Sequence, residues 1–182
     1  PKQTHSINME NILLRKVTLN DIDQLQKIGR QTFFDTFAES NTEENMKEYL
    51  DNRFSTEKLH SELSNTNSEF YFALEEDTVI GYLKLNFGES QTELKDDKAL
   101  EIERIYVLKE FHGKKVGQLL YDKAIQVATE TRTDYVWLGV WEENSRAIAF
   151  YKKNGFVEFD KHIFRLGDDE QTDIMMKLQL KS

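Results

Sequence analysis

Apolar positions along the chain follow two periods, and the switching between them lays out the elements. Residues 11–17 read as a short strand. Thr18 then stands as an N-cap with Asp21 at the third helical position. Ile22, Leu25, Ile28 and Thr32 recur at helical spacing, so a helix is expected to about Phe33. Thr42 caps a second helix that turns Met46, Tyr49, Leu50 and Phe54 inward. Its Glu43, Glu44, Lys47 and Glu48 form a solvated face. A shorter helix carries Leu59 and Leu63. Two strands follow, 70–75 and 79–87, joined by Glu76-Asp77-Thr78 as in an antiparallel hairpin. The stretch from Gly88 to Lys98 is polar and aperiodic and reads as a mobile loop. Residues 135–141 form another strand, and 156–161, 163–166 and 173–178 add two or three more.

The whole pattern is organised around residues 100–127. This stretch opens as a strand, with Ile102, Ile105, Tyr106 and Val107 apolar and Glu101 and Glu103 set among them. After a polar connection comes Gly113-Lys114-Lys115-Val116-Gly117, then a helix with Val116, Leu119, Leu120, Ala124, Val127 and Ala128 on one face. A strand, a glycine loop and a helix start together make an anion site from backbone alone. The first helical N–H groups lack partners, and the helix dipole adds about half a positive charge there. An ordinary strand-to-helix turn explains the loop equally well. It is no P-loop, since Gln118 stands where the second glycine belongs, and no Gly-x-Gly-x-x-Gly is present. Two helices and two hairpinned strands ahead of a parallel βαβ unit give an α+β order of elements.

Composition narrows the classes. At 182 residues the chain suits one domain with a proper core, and one proline and eight glycines leave no linker or low-complexity stretch. Residues 1–8 carry no pattern and read as a loose N-terminal extension. No apolar run reaches membrane-spanning length, and there is no signal-peptide core. Zero cysteines exclude thiolate chemistry and suit a cytoplasmic location. A net charge of −9 argues against nucleic acid as a partner and allows a cationic one. The four histidines (His5, His60, His112, His162) are scattered, so no metal site is expected.

Downstream, Asn144, Ala147, Phe150, Tyr151, Lys153, Gly155 and Phe156 spell N-x-x-A-x-x-F-Y-x-K-x-G-F. With the glycine loop before it, this motif resembles the GNAT superfamily of N-acetyltransferases over nearly the whole chain. The segments WLGVWEEN, AFYKKNGF and GDDEQTD look more narrowly like the PaiA-type polyamine acetyltransferases. The resemblance implies a single domain over 1–182: a mixed, mostly antiparallel sheet flanked by helices, with a parallel βαβ unit binding acetyl-CoA. It assigns that cosubstrate to Ile105, Tyr106, Val107, His112, Gly113, Lys114, Lys115, Val116, Gly117, Gln118, Asn144 and Lys153. Two positions depart from the family pattern. His112 stands for the usual Arg or Gln, and Lys115 for a usual Gly.

The same resemblance makes Tyr151 the acid that protonates the departing CoA thiolate. Asn144 has a sufficient structural role as a helix cap, and Lys153 is either a solvated lysine or a phosphate contact. Glu101 and Glu103 alternate onto one strand face, together with Ile105 and Val107. Carboxylates there either pair with a cation from a nearby helix or face a wet cleft. In the second case Glu103 is the proton acceptor and Glu101 and Glu103 hold the substrate. An alkyl ammonium with a pKa of about 10.4 must lose a proton before it can attack a thioester. The phenylalanines of TFFDTF are either core or the wall of an acceptor site, Phe37 being the substrate-binding choice.

The expected function is therefore direct acetyl transfer from acetyl-CoA to a small cationic amine, foremost a polyamine such as spermidine or spermine. A protein or peptide amine, or a non-catalytic acyl-CoA-binding module, are the alternatives. A homodimer is allowed, and neither nucleic acid, membrane nor metal is expected.

Overall fold

The structure, a computed structural model, describes residues 11–180. The extension expected over 1–8 lies outside them. Strand β1 (Ile12–Lys16) leads through a 3-10 turn into helix α1 (Ile22–Phe37), followed by α2 (Glu43–Arg53) and α3 (Thr56–Ser64). Then come β2 (Ser68–Glu75), β3 (Thr78–Phe87), β4 (Ala99–Val107), α4 (Val116–Glu130), β5 (Tyr135–Trp141), α5 (Ser145–Lys153), β6 (Val157–Leu166) and β7 (Asp169–Gln179). The strands form one sheet in the order β1-β2-β3-β4-β5-β7-β6, in which only β4 and β5 run parallel. This is the α+β, mostly antiparallel arrangement expected, with the helix-bearing crossover on α4.

Helix α1 runs one turn beyond its expected end, because TFFDTF continues the helical spacing. Phe33 and Phe37 are buried on the inner face, while Phe34 is 48% exposed and lines nothing. The terminal strands also differ from expectation. Residues 157–166 are one continuous strand, and Gly167, at φ 63°, turns the chain directly into β7. The acidic segment from Gly167 to Asp173 is thus a hairpin turn and a strand start.

Besides a small core around Trp137, Ala99 and Met175, the two larger cores lie on opposite faces of the sheet. On one, Leu83, Leu85, Leu100, Ile102, Leu138 and Met176 pack against Leu120, Ala124 and Val127 of α4. On the other, Phe70, Phe72 and Tyr82 pack against Leu25, Ile28, Leu50, Phe54 and Leu59 of the first three helices. Each fully buried Leu or Phe contributes about 1.5–3 kcal/mol.

The segment 88–98 is not the mobile loop its aperiodic sequence suggests. Buried Gln91 accepts from Trp137 Nε1 at 2.7 Å, and Thr92 donates its N–H and hydroxyl to Glu101 at 2.8 and 2.5 Å. Tyr135 donates to Asp96 at 2.9 Å. Its polar residues are spent on these anchors, which periodicity cannot register.

One irregularity positions the site. Ile102 pairs with Leu85 and Arg104 with Lys84, so Glu103 is an extra residue in β4. Such a bulge bends its strand and re-aims the following side chains. Leu100, Ile102, Ile105 and Val107 consequently all join the core beneath α4, while Tyr106 joins the opposite one. The expectation that Glu101 and Glu103 share a face with Ile105 and Val107 fails for this reason. Directly beside the bulge, pairing of β4 with β5 stops at Ile102–Leu138. Beyond it β4 stays on β3 and β5 stays on β7, and the two part as a wedge.

Candidate active site

A cleft of about 1270 Å³ opens in this wedge. Residues 103–107 and 139–141 form its flanks, the start of α4 one end, α5 one wall and Phe33 and Phe37 of α1 another. Every residue nominated from sequence lines it except Lys114. The wedge also leaves one edge of β4 without a strand partner beyond Ile102, so its outward backbone groups, apart from the Val107 carbonyl that His112 takes, are open to a ligand or water.

The start of α4 is bare backbone. Gly113 and Lys115 hold φ of 78° and 65°, and Lys115 serves as N-cap. A lysine in the left-handed region costs roughly 1–2 kcal/mol, and this is the position where the resemblance has glycine. A Cβ placed on Gly113 would meet nothing within 4 Å, and one on Gly117 only Val107 Cγ2 at 4.0 Å. Lys109, Lys115, Arg146 and Lys153 line the same cleft. Unpaired helical N–H groups, open glycines and four cations fit the pyrophosphate of a CoA thioester. Arg146 and Lys109 were missed from sequence. Arg146 did leave a signal: it lies in the first turn of α5, where a cation opposes the helix dipole unless an anion comes to it. His112 hydrogen-bonds the Val107 carbonyl through Nε2 at 2.8 Å. Burial, with Arg146 adding to it, holds its pKa below the ordinary imidazole value against that bond.

Asn144 caps α5, its side-chain oxygen accepting from Ala147 N–H at 3.2 Å, and so fixes the helix that carries Tyr151. The Tyr151 ring is only 6% exposed and packs 5.6 Å from both Phe150 and Phe156. Among the described residues its hydroxyl has no hydrogen-bond partner, and the residue lines the cleft. Burial, and then the neighbouring Tyr121, push its pKa up, so the phenol keeps its proton.

The two glutamates are held more tightly than a wet cleft would hold them. Glu103 accepts from Lys84 Nζ and Asn86 Nδ2 at 2.9 Å, and pairs with Arg104 Nε at 3.1 Å and Arg53 at 3.2 Å. Burial pushes its pKa up, but Arg104, Lys84 and Arg53 outweigh burial and hold the carboxyl well below the usual range. This is the ion pair with a helix cation, Arg53 of α2, that the sequence left as the alternative. Glu101, 3% exposed, accepts from Thr92 and from Asn86 at 2.9 Å. Burial raises its pKa against those bonds. Both line the cleft with their oxygens already occupied.

On the opposite side of the wedge the lining is aromatic. Phe37 stands 5.0 Å from Trp141 and 5.8 Å from Phe164. His162 Nδ1 lies 2.5 Å from Glu93 Oε1, and Asp173 on β7 is the register partner of both His162 and Trp141. Burial, with Glu93 adding and His162 opposing, raises the Asp173 carboxyl to about 6. Among the described residues, no group of three or more His, Cys, Asp and Glu is arranged to hold a metal, and no helix is long and apolar enough to cross a membrane.

A sheet wedged open between its parallel strands β4 and β5, with a bare helix start at one end and a tyrosine-bearing helix along one wall, is the frame of an acetyl-CoA-dependent N-acetyltransferase. The chain belongs to the Acetyltransferase (GNAT) family, whose model matches residues 29–156. It is 38% identical over 172 residues to an N-acetyltransferase named for the pepI 3' region of Lactobacillus delbrueckii subsp. lactis, covering 94% of this chain and 99% of that one. It is 27% identical to the spermidine N(1)-acetyltransferase of Thermoplasma acidophilum, over 94% of this chain and 99% of the relative. Among solved structures it is similar to the PaiA N-acetyltransferase of Thermoplasma acidophilum in complex with coenzyme A. There the TM-score is 0.76 at 27% identity, over 92% of this chain and 98% of that one.

Proposed function

We propose that the chain acetylates a primary amine of a small polycation, a polyamine such as spermidine or spermine, directly within a ternary complex with acetyl-CoA. One observation carries this reading: a single cleft holds both cations for an anionic cosubstrate and carboxylates beside aromatic rings for a cationic acceptor. Lys109, Lys115, Arg146 and Lys153 line it, and so do Glu93 and Asp173 with Phe37, Trp141 and Phe164. A polyamine alternates ammonium groups with methylene runs, and carboxylates beside aromatic walls suit both parts. The likeness to a spermidine acetyltransferase supports the same acceptor class. The lack of cysteine suits a cytoplasmic setting.

In this reading the α4 start, from Gly113 to Gln118, receives the pyrophosphate, and Lys153 and Lys115 add mobile charge. The unpaired edge of β4 at Ile105, Tyr106 and Val107, with Asn144 opposite, receives the pantetheine arm. Backbone N–H groups of that edge meet the thioester oxygen as charge develops on it. Tyr151, protonated throughout the working pH range, donates to the sulfur as the C–S bond breaks. Glu101 and Glu103 stay bonded to their own partners, and Lys84, Arg104 and Arg53 offset the charge of Glu103.

The test is thiol release from acetyl-CoA in the presence of spermidine, spermine, a monoamine and a peptide with a free N-terminus. Turnover of the two polyamines above the others is the expected result. Turnover of the peptide alone would transfer the assignment to protein amines. Acetyl-CoA binding without turnover of any amine would leave a non-catalytic module.

A further inference from the structure

We infer that Asp173 is the group that takes the proton from the acceptor ammonium. The inference rests on acetyl transfer to an amine, and not on which amine is used.

Among the carboxylates that line the cleft, Glu101, Glu103 and Glu93 are spoken for, the last by His162. Glu103 is bonded to Lys84 and Asn86 and flanked by two guanidiniums, and Glu101 is bonded to Thr92 and Asn86. A carboxylate already bound by several donors has little basicity left to offer. Asp173 differs: among the described residues its carboxylate has no hydrogen-bond or ion-pair partner. It reaches the cleft because the neighbouring strand offers no side chain at Gly139, where a Cβ would stand 3.5 Å from Asp173 Oδ2. Val140 and Ile174 pack into the core beneath α4, so by strand alternation Gly139 and Asp173 look out on the other face. That is the face of Phe37, Trp141 and Phe164, whereas Tyr151 belongs to the α4 side. Base and acid therefore stand on opposite sides of the wedge, as an amine entering from one face and a thiol leaving on the other require.

The charged and titratable groups facing Asp173 are His162 from β6, Glu93 from the segment before β4 and Tyr49 from α2; β5 presents only Gly139 and Trp141. Burial and Glu93 keep the carboxyl near 6, ionised at neutral pH yet far more basic than Glu103. In the step, Asp173 takes one proton from the ammonium and leaves a neutral amine. The nitrogen lone pair forms the C–N bond to the thioester carbonyl carbon as the C–S bond breaks. The sulfur takes the Tyr151 proton, and the second nitrogen proton restores Tyr151. Asp173 then releases its proton to solvent, giving one amide, one thiol and one proton.

The test is the pH dependence of kcat/KM in Asp173→Asn, using whichever amine of the panel turns over. A failed polyamine reading changes only the amine and leaves this comparison intact. The parent should show an acidic limb with an apparent pKa of about 6. Asp173→Asn should lose the limb and fall roughly 10²-fold or more at pH 7, then recover towards the parent at pH 9 as free amine accumulates. Acetyl-CoA affinity should be unchanged by calorimetry. Asp173→Glu should keep an acidic limb at reduced rate. Glu93→Gln removes a neighbouring negative charge and should move the limb to lower pH. An Asp173→Asn enzyme within twofold of the parent at pH 7, with its limb retained, would overturn the inference.

Discussion

Glu103 and Lys84 meet at 2.9 Å in the interior of the sheet, with the lysine side chain only 6% exposed. Arg104, equally buried, pairs with the same carboxylate and with Glu62. Replacing Glu103 with Gln leaves two buried cations short of one negative charge, which typically costs about 3–5 kcal/mol. Glu103→Gln should lower the melting temperature by roughly 10 °C for a chain of this size, as followed by circular dichroism. It should not remove the acidic limb of kcat/KM. An unchanged melting temperature would mean that the cluster is open to water and that Glu103 is freer than its contacts indicate.

Tyr151→Phe isolates one hydroxyl, since the ring contacts with Phe150 and Phe156 remain. We expect kcat to drop roughly 10²-fold, with acetyl-CoA affinity and melting temperature essentially unchanged. Should turnover stay within twofold, the proton on the leaving sulfur comes from water or from the amine itself.

The parts of the site that follow from local chemistry were readable in the chain. Asn144 as cap, Tyr151 two turns further on, and the glycine loop before α4 all depend on neighbours in sequence. Glu103 was misread because its face is set by a bulge, and a one-residue insertion is invisible to a period-two pattern. Asp173 stands in the sequence only as the last residue of GDDEQTD, with nothing local to single it out. Its importance depends on Gly139 and His162, which β-pairing brings to it from distant parts of the chain. The same limit applies to the segment 88–98, whose polar residues looked free until Trp137 and Glu101 took them up.

Lys115 and Gly117 separate strain from binding. At φ 65°, Lys115→Gly should relieve roughly 1 kcal/mol and raise the melting temperature by a few degrees, while removing a cation and weakening acetyl-CoA. Gly117→Val adds a side chain where the protein itself leaves room. Its effect should therefore fall on the ligand, with acetyl-CoA affinity reduced at least tenfold by calorimetry and little change in melting temperature. Unchanged affinity in a folded Gly117→Val variant would move the pyrophosphate away from this loop.

Ionic strength offers a separate reading of the acceptor. Glu93 and Asp173 are not deeply buried, and charges in that setting are screened over about 8 Å at 0.15 M salt and about 3 Å at 1 M. A polyamine engages them with several ammonium groups, a monoamine with one. With acetyl-CoA kept saturating, so that its own salt dependence drops out, kcat/KM for spermidine should fall roughly tenfold between 50 and 500 mM salt. For a monoamine such as butylamine the fall should be about twofold or less. The loss should lie in KM, because screening acts on encounter and binding of the charged acceptor rather than on acyl transfer itself. Parallel slopes for the two amines would mean that only one ammonium is recognised, and the acceptor would then be a monoamine or a chain terminus.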